Sequence, residues 1–371
     1  MLKYIDHTDV PRKVLPDHVN PIQVEGKRSF SHLMRDTNRA FLPASRDGAK
    51  AIRVGFILPE HFSMMSFTAA VDALVTANLV QTTPLFNFSA YGIGTEKVSC
   101  DLGIEISTEG SLDSLNSKGY SAFDVLIVCG GFRCSMVEDR VLTELLKAAA
   151  KNKTVVGGIW NGAIALAYAG LLDNMQCALH PDNHAFMRER FTKVQVTDNT
   201  LELEPRIITS AGPASALKMM LELIDQLQGR EIMRAVRDIL SCDQVTEQGK
   251  NKLTGVTDNL VMPDNLRDII QLMKANIEEP LSIDELVVCI GISRRQIERL
   301  FQAHLDTSPS RYYLELRITH GRRLLLQSNF SVINIALACG FVTSSHFSNC
   351  FKDFFGVSPS HVRDKYRQNF S

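Results

Sequence analysis

The sequence lacks several features that would assign a protein to a class at once. Its eight cysteines form no CxxC pair and have no clustered histidines, which argues against a zinc finger or a redox dithiol. The longest apolar run, 162–172, is too short to span a bilayer. No apolar signal-peptide segment is present near the N-terminus. We therefore expect a cytoplasmic protein with no metal, no cofactor and no membrane contact, and buried free thiols at Cys129 and Cys289.

The net charge of -1 is also small, but the charge is unevenly distributed. Residues 291–371 contain 11 Lys and Arg against 5 Asp and Glu, a surplus of six positive charges. Binding to phosphate needs a local basic surface rather than a basic protein. The length of 371 residues allows two or three domains, so the C-terminal part is the candidate for nucleic-acid binding.

A repeated pattern in this basic part predicts two helix-turn-helix units. Ser282 precedes Gly291 by nine residues, and Ser331 precedes Gly340 by the same interval. Each glycine is followed by a hydroxyl residue that can cap a second helix. Two helices joined by a short turn with glycine allow the second helix to enter a DNA major groove. The sequence therefore predicts two successive contacts with duplex DNA.

The second helix of each unit carries the candidate DNA-reading side chains. In the first unit Arg295 and Arg299 lie four residues apart, on the outward face. Arginine pairs bidentately with guanine and glutamine with adenine, so these residue types suit base reading; the alternative is a basic helix that contacts only phosphate. The candidates are Arg294, Arg295, Gln296 and Arg299 in the first unit, and Ser344, Ser345, His346 and Asn349 in the second.

Helical patterns also precede and connect the two units. The pattern predicts a leading helix over 263–275 and a long helix over 309–326. The long helix would hold the reading helices about 34 Å apart, one turn of B-DNA. Its arginines, Arg317, Arg322 and Arg323, are expected at the surface or on phosphate.

The run from Pro280 to Arg363 resembles the AraC/XylS family of transcription regulators. The resemblance lies in the segments 281–286, 291–301, 335–341, 345–348 and 351–359 and in Arg363. It implies seven helices, with DNA read by the third and the sixth. The base-contacting positions of the family fall at Arg295, Arg299, Ser345 and Asn349. Many relatives have arginine at the last of these, so direct reading by the second unit is in doubt.

Before this region, strands alternate with helices. Apolar runs at 52–58, 123–129 and 154–159 predict buried strands, and further strands are expected at 86–93, 104–107, 201–203 and 207–210. Helical spacing at 66–78, 137–150, 163–169 and 214–227 separates them. This alternation favours a mostly parallel sheet covered on both faces. Ligands of such sheets gather beyond the carboxyl ends of the strands.

Residues 51–228 resemble the intracellular-protease and glutamine-amidotransferase-like superfamily, through the runs 123–131 and 155–172. The resemblance implies a flavodoxin-like α/β sandwich. Together with the C-terminal part it is similar to the GlxA-like branch of AraC regulators. Catalytic members place a cysteine at the turn where Trp160 stands, and an acidic residue where Ser66 stands. Cys129 and Cys134 do not occupy that turn, so no catalytic residue is predicted.

A pocket that binds without turnover is the expectation for this domain. Backbone amides at Gly130, Gly131, Asn161 and Gly162 suit a carboxylate, and Trp160 offers an aromatic face to a cation. A zwitterionic amino acid or a quaternary amine is the predicted effector; the alternative is that Trp160 only fills the core. The ligand-binding candidates are Gly131, Phe132, Trp160, Asn161 and His180.

The predicted organisation has four parts: a disordered or irregular extension (1–50), the α/β sensor domain (51–228), a linker (229–262) and an all-α DNA-binding domain (263–371). The predicted function is transcription regulation, more specifically activation, with duplex DNA, a small-molecule effector and RNA polymerase as partners. The resemblance adds a homodimer. The alternatives are a DNA-tethered amidase or deglycase, and a ligand-independent DNA-bound scaffold.

Overall fold

The computed structural model describes residues 28–42, 50–81, 83–118, 123–240 and 262–368. They form an α/β domain (the front domain, 50–240), a helical domain (262–368) and a short N-terminal segment, 28–42, which we call the strap. The α/β sandwich followed by a helical region with two helix-turn-helix units confirms the predicted fold class. No helix in these ranges is both long and apolar enough to cross a membrane.

A six-stranded sheet forms the centre of the front domain, in the order β2-β1-β5-β6-β10-β9. All neighbours are parallel except the edge pair β9 and β10. The strands are β1 Ile52–Leu58, β2 Phe86–Gly92, β3 Lys97–Ser99, β4 Glu105–Ser107, β5 Val125–Cys129, β6 Val155–Ile159, β7 Gln176–Cys177, β8 Gln195–Val196, β9 Leu201–Leu203 and β10 Ile207–Ser210. The strands outside this sheet pair as β3 with β4 and β7 with β8.

Helices cover both faces of the sheet, as a parallel sheet requires. Successive strand residues point to opposite faces, so Phe56 packs with one helical layer and Ile57 with the other. The helices are α1 His32–Asn38 in the strap, and α2 Met64–Val80, α3 Leu112–Lys118, α4 Arg140–Lys151, α5 Gly162–Tyr168, α6 His184–Arg190, α7 Pro213–Gln228 and α8 Arg230–Leu240 in the front domain. Helices α2, α7 and α8 cover the first face, and α3, α4 and α5 the second.

Seven helices make up the helical domain, in agreement with the number that the family resemblance implied. They are α9 Asp264–Ala275, α10 Ile283–Ile290, α11 Arg294–Leu305, α12 Pro309–Gln327, α13 Val332–Ala338, α14 Ser344–Phe355 and α15 Pro359–Gln368. The core combines the apolar stripe of α9 with aromatic side chains of the later helices, among them Phe301, Phe347 and Phe351. These large rings are fully buried, and they fix the angle between the two helices of each unit.

The predicted disorder of residues 1–50 is wrong for the strap. Helix α1 and a 3-10 turn, Arg39–Phe41, pack against both domains. Phe30 is buried against Phe354 and Phe355 of α14, with ring centroids 4.7 and 5.3 Å apart. Apolar burial of this kind outweighs the cost of ordering a short segment. The rest of the predicted extension, apart from residue 50, lies outside the described residues.

Polar contacts fix both ends of the strap. On the helical domain, the backbone N–H of Ser31 donates to the Glu315 carboxylate (3.0 Å), and the Ser31 hydroxyl donates to the second carboxylate oxygen. On the front domain, Arg39 forms an ion pair with Glu231 of α8 (2.9 Å). Gln81 at the end of α2 donates to the Ala40 carbonyl. The strap therefore connects the two domains, a role that the sequence did not reveal.

The predicted linker boundary at residue 229 is also wrong. Helix α8 falls inside the predicted linker, but its buried residues Ile232, Ala235 and Val236 belong to the core of the front domain. The front domain thus extends to residue 240, because the apolar face of α8 packs on α2 and α7. The polar segment 246–258, where the linker was placed, lies outside the described residues.

Candidate DNA interface and effector pocket

The first helix-turn-helix unit, α10 and α11, is defined by its caps. The Ser282 hydroxyl accepts from the Glu285 N–H (3.2 Å) while the Glu285 carboxylate accepts from the Ser282 N–H (2.7 Å). Gly291 ends α10 with φ of 76°. Ser293 then caps α11, and the Gln296 side chain completes a second capping box. Each box satisfies backbone N–H groups that a helix start leaves open.

The candidate residues on α11 differ in how much they are engaged within the protein. Arg294 forms ion pairs with Glu298 (3.2 Å) and Asp284 (3.8 Å). The Gln296 carbonyl oxygen accepts from the Ser293 N–H (2.8 Å), so bidentate pairing with adenine would break the capping box. Arg295 and Arg299 are exposed and form no ion pair with any described residue.

The exposed pair Arg295 and Arg299 therefore offers the freest donors on the first reading helix. Both guanidinium groups lie one turn apart on the same face of α11, because they are four residues apart. Free, outward-facing arginines at this spacing suit contacts with guanine or phosphate in a major groove.

The second unit, α13 and α14, is capped by single hydroxyl groups rather than by capping boxes, and it has a different polar face. Ser331 caps α13, and the Thr343 hydroxyl accepts from the His346 N–H (3.2 Å) at the start of α14. Ser345, His346 and Asn349 are exposed on α14. The His346 ring packs edge-on against Phe341, with centroids 5.4 Å apart. This reading surface presents serine, histidine and asparagine but no arginine, in contrast to α11.

The long helix α12 joins the units. Of its three arginines that were expected at the surface, two are not fully exposed. With 19 residues it is about 28 Å long. Arg317 donates to the carbonyls of Cys339 (2.7 Å) and Gly340 (2.6 Å), which fixes the turn of the second unit. Arg322 is only 6% exposed. Arg323 is exposed, as expected. Arg317 is half-buried and Arg322 is buried because α12 packs between the other helices and the strap.

In the front domain, Trp160 stands at the turn between β6 and α5. Its φ is +59°, a conformation that bulky side chains rarely adopt. Its indole ring stacks on the His180 imidazole, with centroids 4.5 Å apart and planes within 11°. The structure therefore brings together Trp160 and His180, two of the candidate ligand residues. One indole face is occupied by the imidazole, so a ligand cation has to approach the other.

The paired glycines after β5 have a packing role that the sequence reasoning missed. The N–H of Gly130 donates to the Ile159 carbonyl (2.9 Å), and that of Gly131 donates to the Asn161 side-chain oxygen (2.8 Å). A Cβ at Gly131 would lie 2.4 Å from the His61 carbonyl oxygen. The expectation that these two amides are available to a ligand carboxylate is therefore wrong. Close approach of the two loops requires the glycines.

Phe132, the next residue, is 69% exposed. It adjoins the turn between β3 and β4, because Arg133 donates to the Asp101 carbonyl (3.2 Å). The Asp101 carboxylate in turn accepts from the Met64 N–H at the start of α2 (3.1 Å). These three connected segments also expose the apolar side chains of Met65, Leu102 and Ile104. Phe132 thus belongs to an exposed apolar patch, which we define as Met65, Leu102, Ile104 and Phe132.

The side chains considered for catalysis in the front domain are poorly suited to it. Ser66, at the position of the expected acid, is buried, and its hydroxyl has no hydrogen-bond partner among the described residues. Burial raises the pKa of the Cys129 thiol far above its usual range. Burial, and secondarily the Asp101 carboxylate, raises the pKa of Cys134 to about 12. Both thiols are therefore protonated at neutral pH, and a thiol is a weak nucleophile.

The predicted burial of Cys289 is wrong, since this residue is exposed on α10. The apolar run around it packs through Leu286 and leaves the next turn of the helix outside. Within the described residues no cluster of three potential metal ligands occurs.

Family models match both domains. Residues 52–226 match the DJ-1/PfpI family, and residues 286–365 match a helix-turn-helix domain. The chain is 34% identical over 311 residues to the HTH-type transcriptional regulator GbdR of Pseudomonas aeruginosa, covering 84% of this chain and 83% of that protein. It is 31% identical over 323 residues to the HTH-type transcriptional regulator GlxA of Rhizobium meliloti, covering 87% and 98%.

The chain belongs to the AraC-type regulators with a DJ-1/PfpI domain. This confirms the family resemblance stated from the sequence. A crystal structure of an AraC family transcriptional regulator from Pseudomonas putida is 37% identical, with a TM-score of 0.47, and covers 51% of this chain and 99% of that chain. As a regulator of the helix-turn-helix type, the protein binds DNA through the helical domain, where Arg295 and Arg299 are exposed.

Proposed function

We propose that this protein is a cytoplasmic, sequence-specific transcription activator controlled by a small nitrogenous metabolite that binds at Trp160. The observation that carries the proposal is the indole at the strained turn after β6, stacked on His180 and standing where catalytic relatives have a nucleophile. A residue held at positive φ is costly and persists where the surrounding structure requires it. The turn keeps a strained backbone conformation but has an indole in place of a nucleophile, which favours ligand binding over catalytic turnover.

The chemical class of the effector follows from what the pocket offers. The face of the Trp160 ring that His180 does not stack on can attract a cation, best a quaternary ammonium group. We therefore assign the effector to amino acids or quaternary amines.

Titration of Trp160 fluorescence tests this assignment, because the chain has one tryptophan. Trimethylglycine is the probe, and its uncharged-headgroup isostere, 3,3-dimethylbutyrate, is the matched control. The proposal expects a change in emission with trimethylglycine, none with the isostere, and loss of calorimetric binding in Trp160→Leu. If promoter output responds to trimethylglycine while the emission of the wild-type protein and the affinity of Trp160→Leu both stay unchanged, the pocket is elsewhere.

A homodimer through the front domain is part of the proposal. Its support is the exposed apolar patch, since monomeric proteins rarely leave clustered large apolar side chains in water. Phe132→Ser with Leu102→Ser should shift the full chain from dimer to monomer in sedimentation velocity. The matched control Phe330→Ser, which removes an exposed ring from the helical domain, should not. A monomeric wild-type protein would contradict this part.

Activation requires contact with RNA polymerase, and α13 offers a surface for it. Ile333 and Leu337, one turn apart on this helix, are 61% and 54% exposed. Leu337→Ser should reduce transcription in a purified system while the affinity for promoter DNA stays the same. Loss of DNA affinity instead would make the residue part of the DNA-binding fold.

The rival function, a DNA-tethered amidase or deglycase, makes an opposite prediction about the thiols. It requires turnover that alkylation or Cys129→Ser abolishes. Because the pKa of Cys134 is raised to about 12 by burial, we expect iodoacetamide at pH 7.5 to modify exposed Cys289 and to leave Cys129 and Cys134 unmodified. Peptide mass spectrometry of the native protein measures this. Rapid labelling of Cys129 together with measurable hydrolysis would favour the enzyme.

A further inference from the structure

Arg322 of α12 is a buried charge, and two of its three side-chain nitrogens lack a hydrogen-bond acceptor among the described residues. It is 94% buried, since its exposed fraction is 6%. Its Nε and Nη1 atoms have no hydrogen-bond partner in the described part of the chain. The guanidinium stacks on the Phe41 ring at 3.3 Å from the centroid, and Phe355 lies 5.9 Å away. The face of an aromatic ring compensates part of the positive charge, but it is not a conventional hydrogen-bond acceptor for the guanidinium N–H groups.

The electrostatic surroundings make this arrangement costly. Burial lowers the pKa of Arg322 well below its usual value, and the neighbouring Arg323 lowers it further. The charge of Asp238 at the end of α8 partly opposes these effects. Arginine remains protonated in proteins, so the positive charge persists. An unpaired buried charge of this kind is energetically unfavourable unless an anion is provided.

Arg322 lines a cleft where the strap, the front domain and the helical domain meet. The enclosed part of the cleft has a volume of about 40 Å³, and the rest of the cleft is open to solvent. The strap contributes Phe41, and the end of α2 contributes Leu79, Val80 and Gln81. The helical domain contributes the remaining wall, which consists of Arg322, Leu326, Phe351, Phe355, Val357, His361 and Val362.

The composition of the walls defines the class of ligand. Apart from Arg322, the polar groups in the wall are Gln81 and His361, and all other lining side chains are aliphatic or aromatic. A phosphate dianion would need more positive charge than one guanidinium provides. A monoanion with an apolar body satisfies both the charge and the walls.

We propose that this cleft binds a small organic carboxylate, whose negative charge compensates the buried Arg322 guanidinium while its apolar part contacts the aliphatic and aromatic wall. The site is separate from the one at Trp160. Because its walls come from the strap and from both domains, the bound carboxylate stabilises this arrangement of the domains over any in which they separate.

Calorimetric titration of the full chain with butyrate tests the proposal, with butyramide as the uncharged isostere and inorganic phosphate as the second anion. The wild-type protein should bind butyrate with a dissociation constant of about 1 mM or tighter, a limit consistent with so few atoms. Butyramide and phosphate should bind at least about tenfold more weakly.

Two variants and one control locate the binding. Arg322→Met, which keeps the volume and removes the charge, should lose butyrate affinity by more than about tenfold. Leu326→Phe, which fills the cleft, should do the same with the arginine intact. Arg323→Met, the exposed neighbour, should bind as the wild type does, and so should Trp160→Leu. Binding to DNA verifies that each variant is folded.

Three results would overturn the proposal. If the wild-type protein does not bind butyrate, Arg322 is compensated within the chain itself. If butyramide binds as well as butyrate, the charge has no part. If Arg322→Met and Leu326→Phe both retain affinity, the anion binds elsewhere. A failure of the Trp160 titration would leave these results untouched, so the two sites are tested independently.

Discussion

The two helix-turn-helix units share hydroxyl caps and turns but differ in what each offers to DNA and in what holds it in place. The first presents Arg295 and Arg299, exposed and without ion pairs to described residues, on a helix stabilised by its own capping box. The second presents serine, histidine and asparagine. Its turn is tied to Arg317 of α12, and α14 is packed against Phe30 of the strap.

This difference indicates a division of roles between the units. The first has the donors for strong contacts with bases and phosphates. The second is integrated with the rest of the protein, because the strap that contacts α14 also contacts α2 and α8. A change in the front domain therefore has a structural route to the second reading helix.

The largest expected effect concerns the strap. Phe30→Ala should lower the free energy of unfolding by about 3–5 kcal/mol, the usual cost of deleting a buried ring. Denaturant unfolding of the full chain measures it. Phe330→Ala, at an exposed ring close to α13, is the control and should change stability by less than about 0.5 kcal/mol. Equal stabilities of the two variants would mean that the strap does not support the second unit.

The turns provide a matched pair. Gly291 and Gly340 both have positive φ, 76° and 71°. A Cβ at Gly291 would meet open space, whereas one at Gly340 would lie 2.6 Å from the Ile277 carbonyl oxygen. Gly291→Ala should cost about 1–2 kcal/mol of stability from backbone conformation alone. Gly340→Ala should cost clearly more in the same unfolding experiment, and the reverse order would contradict the packing described for the second turn.

Substitution of a reading arginine tests the chemistry of the first unit. Arg295→Ala should weaken binding to target DNA by about 1–3 kcal/mol and relax its sequence preference. Arg294→Ala should lose less, because this guanidinium is already paired with Glu298 and Asp284. Titrations on target and scrambled duplexes separate the cases. Uniform weakening on both duplexes would identify Arg295 as a phosphate contact.

The smallest expected effect is a gain in the second unit. Asn349→Arg adds a positive charge to the exposed polar face of α14, so the slope of log affinity against log salt should steepen by about 0.9. Asn329→Arg, an exposed position before α13, is the control and should leave the slope unchanged. An unchanged slope in Asn349→Arg would mean that this face of α14 does not approach the phosphates.

The periodic parts of the chain were predictable from the sequence, and the contacts between distant segments were not. Strand β1 was predicted at its observed bounds, since a β-branched apolar run flanked by turns specifies a buried strand. The hydroxyl residues that cap the second helix of each unit were likewise visible as a local pattern. The strap was missed because proline-rich flanks conceal a short helix that is stable only against α12 and α14.

The candidate sites were predictable in position but not in detail. Trp160 and His180 were both predicted as ligand-binding candidates, and their rings stack in the structure. That the amides of Gly130 and Gly131 are used within the protein depends on the approach of two loops, which no spacing reveals. The burial of Arg322 also arises from tertiary packing, since a basic helix in the sequence resembles a solvated one.

Selection of binding sites from random duplexes by the full-length protein tests the central claim most directly. The account predicts two enriched blocks with centres about 10–10.5 base pairs apart on one face of the duplex, the stronger block being the one that Arg295→Ala erases. A single enriched block, or enrichment that Arg295→Ala leaves unchanged, would contradict the account.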